Sequence, residues 1–215
     1  MSNHKHSPTT VIIKTIGRNT LPEAINSALR EGFPVIVVFD GPSNMLHRLP
    51  KYKKDKVEIH CLGRRWGHFG NMAANVGVAF AKTKYITFLD DDDEFKPGAG
   101  NIIRKKLKQK PNVDIWIAGV EFVNSVTLKT PEGVISTNIL ANQPSLGVTP
   151  GNVAMPTYKT SIFETKPFVQ LTQDEALTDF AHVDWCHKSG CKVDWFGEAL
   201  YLVRPLLKGS NGGGL

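Results

Sequence analysis

Five acids stand side by side in this chain: Asp90, Asp91, Asp92, Asp93 and Glu94. They follow directly on Tyr85–Leu89, a run whose aromatic and β-branched residues read as a buried strand. Neighbouring carboxylates repel one another, so a fold that holds five at a strand end needs a counter-charge. A hard divalent cation supplies it. Mg²⁺ or Mn²⁺ prefers carboxylate oxygens and keeps positions open for phosphate oxygens. In an open α/β sheet, ligands bind beyond the carboxyl ends of the strands, which is where these acids fall. A solvated acidic turn is the plainer alternative, and four aspartates directly after a buried strand favour the metal.

Four other stretches carry groups that could act with these acids. Lys14-Thr15-Ile16-Gly17-Arg18-Asn19 ends an apolar strand just before a helix start. Its hydroxyl, amide and guanidinium groups suit a nucleotide or phosphate, although a simple strand-to-helix turn reads the same way. Asp40 ends the next strand, where a carboxylate either accepts from a base N–H or ribose hydroxyl or closes an Asx-type turn before Gly41-Pro42. Arg64 and Arg65 stand near Gly67, His68 and Gly70. The arginines can pair with a diphosphate and the glycines let backbone approach it, or the stretch is a flexible surface loop. Asn71 and Asn75 add amides at the helix start that follows. On a late helix, Asp179 and His182 are three apart and share a face. One acid there facing a cleft could serve as general base, or the helix simply shows its polar residues to solvent.

These residues need a frame. Val11–Lys14, Pro34–Phe39, Val57–Leu62 and Tyr85–Leu89 read as strands. Helices are expected from a Thr20 N-cap, with Pro22 in the first turn and Glu23 at the capping-box position, to a stop at Gly32, and over Asn71–Lys82. Pro34–Phe39 shows no alternation and so is expected to be buried on both faces. The order predicts an α/β fold: a Rossmann-like, mostly parallel sheet flanked by helices. Beyond Pro97 the pattern predicts a helix over Ala99–Lys110 and a strand over Ile115–Val123, with Val126–Lys129 returning as a hairpin. Residues 136–157 read as a long loop, Ala176–Ser189 as a helix, and Lys192–Phe196 and Tyr201–Val203 as short strands. The Gly-rich end, 206–215, reads as a flexible tail.

A length of 215 residues suits one domain. Hydrophobic residues at 41% and charged residues at 21% are ordinary for a soluble globular chain. The net charge of +6 is spread through the chain and biases it modestly toward phosphates or other anions. Three cysteines, an odd number without metal-type spacing, predict a reducing compartment, and no apolar run approaches a bilayer span. Together with a polar start, MSNHKHSPTT, this predicts a cytoplasmic protein. Walker-type, HExxH, GxSxG and zinc-type Cys/His patterns are absent from the sequence.

In order, the segments VIIKTIGRN, VIVVFDGPS, GHFGNMAANVG, YITFLDDDDEFKP and TDFAHVDWCHKSG resemble the GT-A fold glycosyltransferases, specifically the inverting family 2. That family shows VIIPTYN, VVDDGS, GxxxARNxG, YIxFLDDDD and a later ED-type pair. The resemblance implies a single GT-A domain, with a nucleotide-sugar half over about 11–97 and a smaller acceptor half over about 98–205. It implies a metal-dependent enzyme that moves a sugar from a nucleoside diphosphate donor, by family preference a UDP-sugar, to an acceptor hydroxyl with inversion. Thr15 and Asp40 would hold the nucleoside, with Asp40 on the base. Asp92 would bind Mn²⁺ or Mg²⁺, Asp90 or Asp91 would touch ribose, and Asp179 would be the general base. Arg18, Arg65, Gly70 and Asn75 complete the implied donor site. The chain departs from the family pattern at Lys14, Ile16 and Ala74, which stand for the motif proline, aromatic and arginine. Arg64 or Arg65 would replace the last. Thr178 stands for the first acid of the ED pair, which leaves Asp184, Asp174 and Glu175 as alternative bases. The other readings are a nucleotidyltransferase and a nucleotide- and metal-binding module without activity.

Overall fold

The computed structural model describes residues 7–67, 70–130, 133–140, 155–168 and 179–204. The elements in chain order are β1 (Thr9–Thr15), α1 (Leu21–Arg30), β2 (Val35–Phe39), β3 (Val57–Cys61), α2 (Asn71–Phe80), β4 (Tyr85–Asp90), β5 (Glu94–Phe95), α3 (Ala99–Gln109), β6 (Ile115–Thr130), β7 (Gly133–Leu140), β8 (Met155–Lys159), α4 (Asp179–Lys188) and β9 (Val193–Val203).

The apolar runs set the frame. One sheet runs in the order β3-β2-β1-β4-β8-β6-β9-β5, with β7 on β6. From β3 to β4 every pair is parallel, as the order of strands and helices predicts. Beyond β4 the sheet is mixed, because β8 runs antiparallel between β4 and β6 while β9 lies parallel to β6. Side chains alternate across β1, so Val11 and Ile13 enter one apolar cluster with α1 and α3, and Ile12 enters another with α2. Burying each such side chain stabilises the fold by about 1.5–3 kcal/mol, which fixes the sheet from both faces. Gly77 lets α2 lie close, since a Cβ there would stand 2.5 Å from Ile12 Cγ2.

Several expectations are corrected. Residues 126–130 continue β6 rather than turning back, and β7 is the returning strand. Residues 136–140 and 155–157 of the expected loop are in β7 and β8; 141–154 lie outside the described residues. The two late strands are one, β9, bent where Gly197 takes a φ of 78° and the register with β6 shifts. Thr20 stands at the start of α1 in a helical conformation without a capping hydrogen bond from its side chain. The tail 206–215 lies outside the described residues. Among the described residues, no helix is long and apolar enough to cross a membrane.

Candidate active site

β1 and β4 are neighbours in register, with Lys14 opposite Asp90, and β2 flanks β1 on its other side. Their carboxyl ends therefore bring Thr15, Arg18, Asp40 and the acid run to one edge of the sheet. The four aspartates part company there. Asp91 turns inward and is fully buried. Its two oxygens accept from the Thr15 hydroxyl and the Arg18 guanidinium, and Thr15 Oγ1 in turn accepts from the Gly17 N–H at 2.8 Å. Asp91 thus positions the two groups that the sequence places on a nucleotide. Burial works against the Arg18 charge, but Asp91, Asp92 and Asp90 outweigh it and raise its pKa.

Asp90, Asp92 and Asp93 each offer a carboxylate oxygen, and the three oxygens lie within 4.8 Å of one another. Burial, followed by the repulsion of Asp90 and Asp91, raises the Asp92 pKa despite Arg18, whose Nη1 is 3.9 Å away. Burial with the charges of Asp90, Asp92 and Asp91 pushes Asp93 up to about 8, although the Arg204 N–H donates to it at 3.0 Å. A set of hard oxygens so crowded that one member resists ionisation at neutral pH fits a divalent cation. Asp93, to which the family resemblance gives no role, joins Asp90 and Asp92 in this set. Nothing in four identical letters separates them. The signal lies in the chain's turn after Asp90, where Asp93 N–H donates to the Asp90 carbonyl at 3.1 Å. Glu94 pairs with Arg204, tying the end of β9 to the acid run.

Asp40 is buried, and both its oxygens accept backbone N–H groups, from Trp66 at 2.8 Å and Gly67 at 2.8 Å. It holds the 63–67 loop over the strand end. Gly41 makes room for that loop: with φ at 98°, its Cβ would stand 2.8 Å from the Arg65 nitrogen. Arg65 is exposed on the loop, and the Arg64 guanidinium stacks over the Trp66 ring at 3.9 Å. His68 lies outside the described residues. Gly70 is the N-cap of α2, with φ at 77°. Asn75 bonds to both sides of the Phe168 peptide backbone, donating to its carbonyl at 2.8 Å and accepting its N–H at 2.9 Å. Asn75 therefore fastens α2 to the 166–168 segment.

Asp179 is the first residue of α4. Thr178, Asp174 and Glu175 lie outside the described residues. Asp184 pairs with Lys188 one turn on, at 2.6 Å. His182 faces the core. Its Nε2 is 2.8 Å from the Lys166 carbonyl, its Nδ1 is 3.3 Å from the Tyr158 hydroxyl, and the rings of Phe163, Phe168 and Trp185 surround it. Burial lowers its pKa and keeps it neutral.

The fold and this edge of the sheet are those of an α/β protein with room for a ligand beyond the carboxyl ends of its parallel strands, and similarity to known proteins says which class it belongs to. Residues 10–170 match the model of glycosyl transferase family 2, so the chain belongs to that family and is a glycosyltransferase domain. Crystal structures of S. aureus TarS share the fold. TarS 1–349 superposes with a TM-score of 0.67 at 16% identity, over 91% of this chain and 60% of that one. TarS 1–349 in complex with UDP-GlcNAc gives 0.70 at 16% identity, over 92% of this chain and 58% of that one. The complex with UDP gives 0.67 at 15% identity, over 92% and 60%. This chain thus spans about 60% of the length of TarS 1–349. No curated protein matches it.

Proposed function

We propose that this chain transfers a sugar from a UDP-sugar to an acceptor hydroxyl, with inversion at the anomeric carbon. One observation carries the reading. Thr15, Arg18, Asp90, Asp92 and Asp93 gather at the ends of two adjacent parallel strands, as a hydroxyl, a cation and a set of hard oxygens suited to a nucleoside diphosphate. The S. aureus TarS structures with UDP-GlcNAc and UDP support the choice of nucleotide.

In this reading, Thr15 and Asp40 face the nucleoside, with Asp40 on the base side through the loop it holds. Arg18 and Arg65 face the diphosphate, beside Gly70 and α2. Asp91 holds Thr15 and Arg18 in place, and Asp90 reaches the ribose side. Asp90, Asp92 and Asp93 would hold Mn²⁺ or Mg²⁺, which when bound neutralises a leaving diphosphate. Asp179 takes the proton of the acceptor hydroxyl. That oxygen bonds to the anomeric carbon from the face opposite the nucleotide, and the bond to the diphosphate oxygen breaks. Residues 98–205 supply the acceptor side. The free thiols Cys61, Cys186 and Cys191 suit a reducing, cytoplasmic setting.

The test is a product analysis of the wild-type chain and Asp179→Asn, given a UDP-sugar, Mn²⁺ and a panel of acceptor hydroxyls. The expected products are free UDP and an inverted glycoside. Asp179→Asn should turn over ~10²–10⁴ more slowly with unchanged UDP affinity. Release of pyrophosphate, or a product that keeps the donor's configuration, contradicts the proposal.

A further inference from the structure

β1 carries one charged side chain among its seven residues, Lys14. It is 13% exposed and shares the face of β1 from which Ile12 meets α2. Two glycines of α2 and its cap, seven residues apart, give way to that face. Gly77 admits Ile12, and Gly70 admits Lys14: a Cβ on Gly70 would stand 3.0 Å from Lys14 Cδ and 3.3 Å from its Cβ. The stem of Lys14 therefore runs in a slot between β1 and the N-cap of α2. Its ammonium emerges at the acid run, with Nζ 3.7 Å from Asp90 Oδ1. That separation exceeds hydrogen-bonding range, so the contact is one of charge with charge. The sheet builds it in, because Lys14 and Asp90 are partners in the β1–β4 register. The backbone end of α2 beside the stem carries positive partial charge, which disfavours a cation and favours an anion. An anion brought to this point is attracted by both the ammonium and the helix end.

We propose that Lys14 is a diphosphate-binding residue of the donor site, held by Asp90 until the donor arrives and then shared with its phosphate oxygens. The proposal rests on the nucleoside diphosphate reading above. The residue that replaces the family's proline thereby becomes a second cation at the acids, beside Asp90 where Arg18 stands beside Asp91 and Asp92.

Lys14→Met keeps the stem in its slot and removes the charge. Calorimetry on the full chain with Mn²⁺ should show UDP binding weakened on the order of tenfold and uridine binding unchanged. Lys14→Gln should give the same split and covers a methionine variant that does not fold. UDP affinity equal to wild type in both variants overturns the proposal, as does a parallel loss for UDP and uridine, which would mark a structural role. A wild-type chain that binds neither ligand overturns the nucleotide reading itself, and this inference with it.

Discussion

Two polar centres in this molecule are built on opposite terms. Around His182 every demand is met: one ring nitrogen faces the Lys166 carbonyl, the other the Tyr158 hydroxyl, and aromatic rings fill the remaining space. At the end of β4 demand exceeds supply. Asp91 is satisfied by Thr15 and Arg18, but Asp90, Asp92 and Asp93 face one another with too few counter-charges, and Asp93 is pushed up to about 8. Both centres hold titratable groups in burial. Only the second stores repulsion that a ligand can relieve, and this separates a candidate site from a well-packed histidine.

The contrast makes the two centres respond to pH with opposite sign. Asp93 is raised from 3.8 to about 8, so the unfolded chain ionises it first as pH climbs. The contribution of Asp93 to the stability of the metal-free protein should therefore fall as pH rises from about 4 to 8. Asp93→Asn should flatten that decline, and Mn²⁺ should offset it in the wild type. His182 is lowered from 6.5, so the unfolded chain takes up its proton first, and stability falls as pH drops below that value. Melting curves from pH 4 to 9, with and without Mn²⁺, check both. A metal-free protein that gains stability from pH 6 to 8 would break the comparison.

A smaller effect sharpens it. His182→Leu leaves the Lys166 carbonyl without its partner and should cost about 2 kcal/mol of stability. Because its hydrogen bonds go to Lys166 and Tyr158 and not to the acid run, UDP affinity in the folded variant should be unchanged, as denaturant unfolding and calorimetry would show. A loss of UDP affinity without loss of stability would place His182 in the site.

The first half of the fold was legible because Val11–Ile13, Val35–Phe39 and Tyr85–Leu89 are runs of apolar, aromatic and β-branched residues, buried on both faces of a sheet. Such runs leave one interpretation. The second half was less legible where one strand outlasts its own irregularities. β6 continues past the register shift between Glu121 and Val126, and β9 bends at Gly197 without ending. Local composition marks a break in each, while pairing with neighbouring strands carries the element through. The acid run shows the same limit at the scale of a site. The sequence locates it, but the inward turn of Asp91 depends on Thr15 and Arg18, more than seventy residues away. The sequence marks Lys14 only as a departure from the family pattern, since its neighbours Gly70 and Asp90 lie far from it along the chain.

The central claim is that the crowded acids at the end of β4 bind a nucleoside diphosphate through a divalent cation. Calorimetric titration of UDP into the wild-type chain and Asp92→Ala, each with and without Mn²⁺, tests it most directly, with circular dichroism to verify the fold. The account predicts that Mn²⁺ strengthens UDP binding to the wild type and has no effect on Asp92→Ala, which binds weakly in both conditions. A folded Asp92→Ala that binds UDP with wild-type affinity and the same dependence on Mn²⁺ would contradict it.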